Sequence, residues 1–317
     1  MDETRRLLAL LNETFPDVAA LPPLEARAAV DARIRPPGNV DDVADAEDHR
    51  LDVGGHGLRV RLYRPHPQDA VAGAPTTVYA HGGGFLHGSI EGHDGWCRTW
   101  ARRTGGPVVS VGYRKAPEHR APAAWEDMVA AVRWTVERGH GAHGILVAGD
   151  SSGGNLAAGA AVALRGDAAV RVRGQVLLYP LLDPTMSSET YRTRADGYFI
   201  TAAILAAYWR HYLGADPADR ATRDRAAADP RIAPGAADLR GVAPAIVVTA
   251  GLDPLHGEGA AYAEQLRGAG GVVLHRHHPD QFHGFLTIPG YGPARAAADM
   301  LWADIRSLFA PHRQEHA

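Results

Sequence analysis

Six short runs of the chain, Thr76–Ala80, Pro107–Val111, Ile145–Ala148, Gln175–Tyr179, Ala245–Thr249 and Val272–His277, are apolar and rich in β-branched residues. Strands of this kind carry apolar side chains on both faces and must be covered from both sides. Helical periodicity fills most of the intervals, near Gly92–Arg103, Ala123–Glu137, Gly153–Arg165 and Gly257–Gly268, and follows again at Ala294–Phe309. The alternation predicts an α/β fold in which right-handed crossovers build a mostly parallel sheet. Upstream, His49–Val53 and Leu58–Arg64 flank Gly54-Gly55-His56-Gly57, which reads as a hairpin and brings the sheet to about eight strands.

Two stretches stand outside this pattern. Residues 1–31 read as an amphipathic helix, with Leu7, Leu8, Leu11 and Phe15 at helical spacing, until Pro36-Pro37-Gly38 breaks it and the acidic stretch Asp41–Asp48 leads into the first strand. From Pro184 to Ala228 there is no strand pattern, and Tyr198, Phe199, Ile204, Leu205, Tyr208, Trp209 and Tyr212 suggest a helical insertion between core strands.

Composition narrows the function. Thirty-three basic against 36 acidic residues give a net charge of −3, with Lys115 the only lysine and no basic block, which argues against a nucleic-acid partner. Cys97 is the only cysteine, so a cysteine-rich metal site and an intrachain disulfide are excluded. A cytoplasmic setting is the expectation, since the first residues are acidic where a secretion signal is basic, and no apolar run reaches the length of a membrane span.

The strongest local signal is Gly149-Asp150-Ser151-Ser152-Gly153-Gly154, set between a strand and a helix. A serine on such a turn can present its hydroxyl as a nucleophile, small neighbours let the backbone pass closely, and the helix N-terminus favours a developing oxyanion. The alternative use of Ser151 or Ser152 is a helix N-cap. After Thr76–Ala80 comes His81-Gly82-Gly83-Gly84-Phe85, whose glycines can converge N–H groups on one point. Gly83, Gly84 and Ser152 are the expected oxyanion donors, with His81 and Gly82 supporting the loop. A phosphate-binding loop would need a following Lys-Ser/Thr, which is absent.

A serine needs a histidine base, and that histidine a carboxylate. Downstream of Ser151 two loops follow convincing strands, and they carry Asp253 and His283. Glu258 competes for the acid, and His275, His277 or His278 for the base; the histidine cluster also leaves a metal site open. No cofactor or metal is expected. Phe85, Tyr198, Phe199, Tyr208 and Trp209 are the candidate pocket residues, the alternative being that these aromatics only seal the insertion onto the core.

Together, His81-Gly82-Gly83-Gly84, the block Tyr113–His119, Gly149–Gly154, Asp253-Pro254-Leu255 and Phe282-His283-Gly284-Phe285 resemble the hormone-sensitive-lipase-like esterases, the bacterial family IV of lipolytic enzymes. The resemblance implies an α/β-hydrolase core, residues 46–184 and 229–317, under a cap made of residues 1–45 and an insertion at 185–228. It also implies Ser151, Asp253 and His283 as the triad, a structural role for Tyr113–Asp127, short- to medium-chain acyl esters as substrates, and a homodimer as a plausible state. Amidase, deacetylase, lactonase and acyltransferase chemistry remain open on the same triad, and plant gibberellin receptors, which resemble the family but lack the histidine, represent a binding-only alternative. Two departures stand out: Ser152 replaces the usual alanine, and His256-Gly257-Glu258-Gly259 replaces the frequent Arg-Asp-Glu-Gly, removing a carboxylate at Gly257.

Overall fold

The computed structural model describes residues 2–308. The amphipathic N-terminal pattern forms two helices, α1 (Glu3–Thr14) and α2 (Pro23–Asp31), and not the single helix expected over residues 1–31. Pro16, Pro22 and Pro23 lack the amide hydrogen that a helix interior requires, and Phe15 already has extended backbone. After a short 3-10 turn at Val40–Asp42 comes a hairpin of β1 (Asp45–Val53) and β2 (His56–Arg64). The acidic stretch is thus partly strand, and it is tolerated there because Asp45 and Asp48 accept from Arg64 and Arg61 across the hairpin at 2.7 and 2.6 Å.

The chain then alternates through β3 (Thr76–Ala80), α3 (Asp94–Thr104), β4 (Val108–Gly112), α4 (Ala123–Glu137), β5 (Ile145–Asp150), α5 (Ser152–Ala163) and β6 (Val172–Leu178). Between β6 and the next strand lie α6 (Thr190–Thr193), α7 (Ala202–Leu213) and α8 (Arg220–Ala228), with no strand among them. The described part closes with β7 (Ala245–Leu252), α9 (His256–Gly268), β8 (Val273–Phe282) and α10 (Arg295–Ser307). The expected last residue of the final helix, Phe309, lies outside the described residues.

The eight strands form one sheet in the order β1-β2-β4-β3-β5-β6-β7-β8. β2 runs antiparallel to both neighbours and every other pairing is parallel, so β2 alone is reversed. Alternate residues of the central strands serve opposite layers: Val78 and Ala80 pack with Met128, Leu156 and Leu266, while Tyr79 packs with Trp100, Trp302 and Ile305. Helices α4, α5 and α9 therefore cover one face, and α3 and α10 the other. Because β3, β5, β7 and β8 are parallel, the loops after Ala80, Asp150, Leu252 and Phe282 emerge at a single edge. Among the described residues no helix is long and apolar enough to cross a membrane.

The irregular segments are tied together above that edge. Asn12 of α1 donates to the Gly197 carbonyl and accepts from the Phe199 N–H, at 2.9 and 2.8 Å, and Phe15 meets the Phe199 ring edge-on. Arg27 of α2 donates to the carbonyls of Leu86 and Ala116 at 2.8 and 2.6 Å and grips Glu118 with both terminal nitrogens. That guanidinium holds the Glu118 carboxyl down at about 2. Arg27→Ala is expected to cost about 2 kcal/mol in urea unfolding, because two carbonyls and a carboxylate lose charge-assisted donors together. Arg27→Lys should recover only part of that loss, since an ammonium cannot reproduce the fork.

Candidate active site

Ser151 sits between β5 and α5 with φ 54° and ψ −119°, backbone angles that are costly for a residue with a side chain. Backbone bonds hold it there: its N–H donates to Leu178 at 2.8 Å, and its carbonyl accepts from Leu181 at 3.1 Å and from Asn155 at 3.3 Å. Two residues on, a Cβ at Gly153 would collide with the carbonyl of Ala80, so only glycine lets α5 begin this close to the end of β3.

His283 and Asp253 follow adjacent parallel strands, β8 and β7, whose last paired residues are Phe282 and Leu252. The strands run farther than the sequence pattern suggests and end immediately before these residues. His283 Nδ1 lies 2.8 Å from Asp253 Oδ2, and both side chains are buried. A carboxylate only accepts, so Nδ1 carries the proton and Nε2 is left as the basic nitrogen. The other carboxylate oxygen accepts from the Leu255 N–H at 2.9 Å.

Ser151 and His283 share a cavity of about 770 Å³ with Gly82, Gly83 and Gly84. Gly83 and Gly84 have φ of 125° and 60°, and among the described residues neither N–H, nor that of Ser152, has an acceptor. Gly82 differs: its N–H is already spent on Asp150 at 2.9 Å. Asp150 also accepts from the Tyr79 hydroxyl at 2.8 Å and lies 3.1 Å from His93 Nε2. Burial alone would raise the Asp150 pKa, but His93 and these hydrogen bonds outweigh it and hold the carboxyl below its ordinary value. His81 is fully buried, bonded through Nδ1 to the Gly82 carbonyl at 2.8 Å and stacked on Tyr113, and burial pushes its pKa down to about 3. Its ring faces the loop and does not line the cavity.

Of the aromatic pocket candidates, Phe199 and Tyr208 line the cavity, and Phe85, Tyr198 and Trp209 do not. Phe85 and Trp209 are fully buried beneath it, because Phe85 turns away from its glycine neighbours and stacks on Tyr212 at 3.8 Å, while Tyr198 lies under Arg194. The apolar wall comes largely from residues the motifs did not mark, among them Phe15, Ile34, Ile200, Leu286 and Ile288. Asp31, Arg33, Arg35, Asn39, Glu91 and His93 add a polar side. No spacing rule singles these out, since they come together only through the packing of the N-terminal segment, the turn before α3, the segment before α7 and the loop after β8.

The rival residues have other partners. Glu258, in the first turn of α9, accepts from the Leu182 N–H at 2.5 Å and the Tyr191 hydroxyl at 2.9 Å, and makes no contact with His283. His275 and His277 share the hydroxyl of Thr249, at 2.8 and 3.1 Å, and His278 packs on Phe285. Among the described residues no group of three histidine, cysteine or acidic side chains is placed to hold a metal ion. At Gly257, where the resemblance leads one to look for a carboxylate, a side chain would meet Ser188 and Thr190, and Thr190 instead bridges the Gly257 N–H and the Pro254 carbonyl.

A strained serine on a strand-to-helix turn, beside a histidine paired with a buried aspartate at the edge of a parallel sheet, defines a hydrolase site. A family model described as alpha/beta hydrolase fold matches residues 77–287. The chain is 40% identical over 244 residues to an ethyl acetate hydrolase of Pseudomonas putida, covering 74% of this chain and 73% of that one. It is 35% identical over 321 residues to carboxylesterase NlhH of Mycobacterium tuberculosis, covering 98% and 96%. An ester-hydrolase, EH1AB1, from the metagenome of Lake Arreo superposes with a TM-score of 0.85 at 34% identity, covering 98% of this chain and 99% of that one. The chain belongs to the α/β-hydrolase family. Within it, it is a carboxylic ester hydrolase of the hormone-sensitive-lipase-like group.

Burial pushes the Glu258 carboxyl well above its ordinary value of 4.5. The folded protein therefore retains a proton that the unfolded chain has released, and this group lowers stability as pH rises above that ordinary value. Glu258→Gln is expected to flatten the alkaline decline in stability while turnover stays within about twofold of wild type, since no reacting atom is touched. Glu258→Ala should cost about 3 kcal/mol, leaving the Leu182 N–H and Tyr191 hydroxyl unsatisfied. Denaturant titrations across pH, with ester hydrolysis assayed on the same samples, check both.

Proposed function

We propose that this esterase works through Ser151, His283 and Asp253, with the N–H groups of Gly83, Gly84 and Ser152 as its oxyanion hole. The observation that carries the reading is the shared cavity, in which a strained serine and unpaired loop N–H groups meet a histidine already oriented by a buried carboxylate. Ser151 Oγ attacks the ester carbonyl while His283 Nε2 takes its proton; the tetrahedral oxyanion is held by the three N–H groups. His283 then protonates the departing alcohol, and water cleaves the acyl-enzyme by the same sequence of proton transfers. In this reading residues 1–45 and 185–228 form a cap over the site, and His81 and Gly82 support the loop.

Short- to medium-chain acyl esters suit a cavity of about 770 Å³ walled by Phe15, Phe199, Ile200 and Leu286. The Pseudomonas putida relative, an ethyl acetate hydrolase, points the same way. A cytoplasmic setting, supported by the single cysteine, and a homodimer, suggested by the family resemblance, complete the proposal.

Ser151→Ala is expected to abolish hydrolysis and fluorophosphonate labelling without unfolding the protein; retention of most activity would refute the assignment. Asp253→Asn should reduce turnover by about 10⁴, as in other triads whose histidine loses its orienting carboxylate. Across nitrophenyl esters the rate should peak at short or medium acyl length, and an optimum at palmitate would contradict the substrate class.

A further inference from the structure

The oxyanion loop has an unusual backbone. Gly83, Gly84 and Phe85 have successive φ values of 125°, 60° and 58°, and Phe85 is not a glycine. Glycine loses more freedom on ordering than any other residue, and a left-handed phenylalanine is strained, so such a loop keeps its shape only if its surroundings impose it. From the core side, Asp150 takes the Gly82 N–H, Lys115 donates to the Gly88 carbonyl at 2.8 Å, and the Ala116 N–H donates to Phe85 at 2.9 Å. Gly83 itself accepts the N–H groups of Leu86 and His87, each at 3.0 Å.

From the other side the loop is held by α7, which lies more than a hundred residues later in the insertion. Tyr208 and Tyr212 are four residues apart and so share one helical face. Tyr212 stacks on Phe85 with ring planes 9° apart. The Tyr208 ring lies directly on Gly84, so that a Cβ there would fall within the ring. Its hydroxyl is 2.6 Å from His87 Nε2, and His87 Nδ1 in turn is 2.9 Å from where a Cβ on Gly83 would be. Tyr208 and His87 thus form an arch across the two glycines whose N–H groups are unpaired. Both side chains are buried. Burial, followed by the Lys115 charge, pushes His87 down to about 3, and burial pushes the Tyr208 phenol up, so both shifts favour a bond between two neutral groups.

We propose that Tyr208 and His87 are positioning residues for the oxyanion hole, and that α7 is a fixed brace of the catalytic centre. The proposal rests on the reading of Gly83 and Gly84 given above. Their donors must point to where the oxyanion forms, not to where the ground-state carbonyl lies, and removing one such donor costs about 10² to 10³ in turnover. Slackening both without deleting either should cost a part of that.

Tyr208→Phe and His87→Leu, measured on nitrophenyl butyrate, are each expected to lower kcat about tenfold with KM within about twofold, the signature of an interaction made in the transition state. Each should weaken binding of a trifluoromethyl ketone, which forms a tetrahedral adduct, by the same factor, and leave binding of the matching methyl ketone unchanged. The double variant should be no worse than the poorer single one, because both remove one bond. His87→Gln, which can still meet the phenol, should recover most of the rate lost in His87→Leu, and it carries the test if a single variant fails to fold. Unchanged kcat alongside a lowered melting temperature would overturn the proposal, making the pair mere packing. A rise in KM alone would overturn it too, by showing that the pair touches the ground-state substrate. If the wild-type enzyme bound both ketones alike, the reading of the site would itself fail, and that result is visible before any Tyr208 variant is made.

Discussion

The close approach of α5 to the end of β3 is the contact on which the site depends. The turn at Ser151 is strained because α5 starts almost in contact with the Ala80 carbonyl, which the absence of a side chain at Gly153 permits. That closeness brings Ser151 beside the loop that begins at His81. Strand order does the rest. With β3 next to β5 and β7 next to β8, the glycine loop adjoins the serine and the aspartate adjoins the histidine, while parallel pairing brings all four loops to one edge.

Much of this was legible in the sequence because the relevant signals are local. β3 has the bounds its apolar run suggests, and α4 matches Ala123–Glu137. The edge strand was read short: beyond His277 it carries His278, Pro279, Asp280 and Gln281, half-buried or exposed polar positions and a proline that do not look like a covered strand. Its last residue, Phe282, nevertheless pairs with Leu252 and so places His283 beside Asp253. Motif and chain order single out Ser151, Asp253 and His283, and the fold brings these three to one edge of the sheet. The cavity wall could not, since Phe15, Ile34, Ile200 and Ile288 meet only in three dimensions. Phe85 misled for a related reason: its place in a glycine motif suggests the pocket, but its left-handed backbone turns the ring toward Tyr212.

The altered loop after Asp253 shows how a lost carboxylate is accommodated. Ser188 and Thr190 fill the space beside Gly257, the Thr190 hydroxyl bonding the backbone there and the Ser188 hydroxyl bonding Thr190, while Glu258 joins the start of α9 to the segment after β6. Asp253, a few residues before, bonds the Leu255 N–H and His283 Nδ1.

Phe85 has a consequence for how such enzymes can be recombined. Its ring is shared with α7, and Gly84 carries Tyr208 directly above it, so residues 83–87 and 208–212 form one mechanical unit although the chain separates them. A chimera that exchanged the insertion for that of a relative would graft a foreign surface onto the glycine loop at residues 83–87. The structurally coherent module to exchange is therefore the insertion together with the glycine loop it packs on.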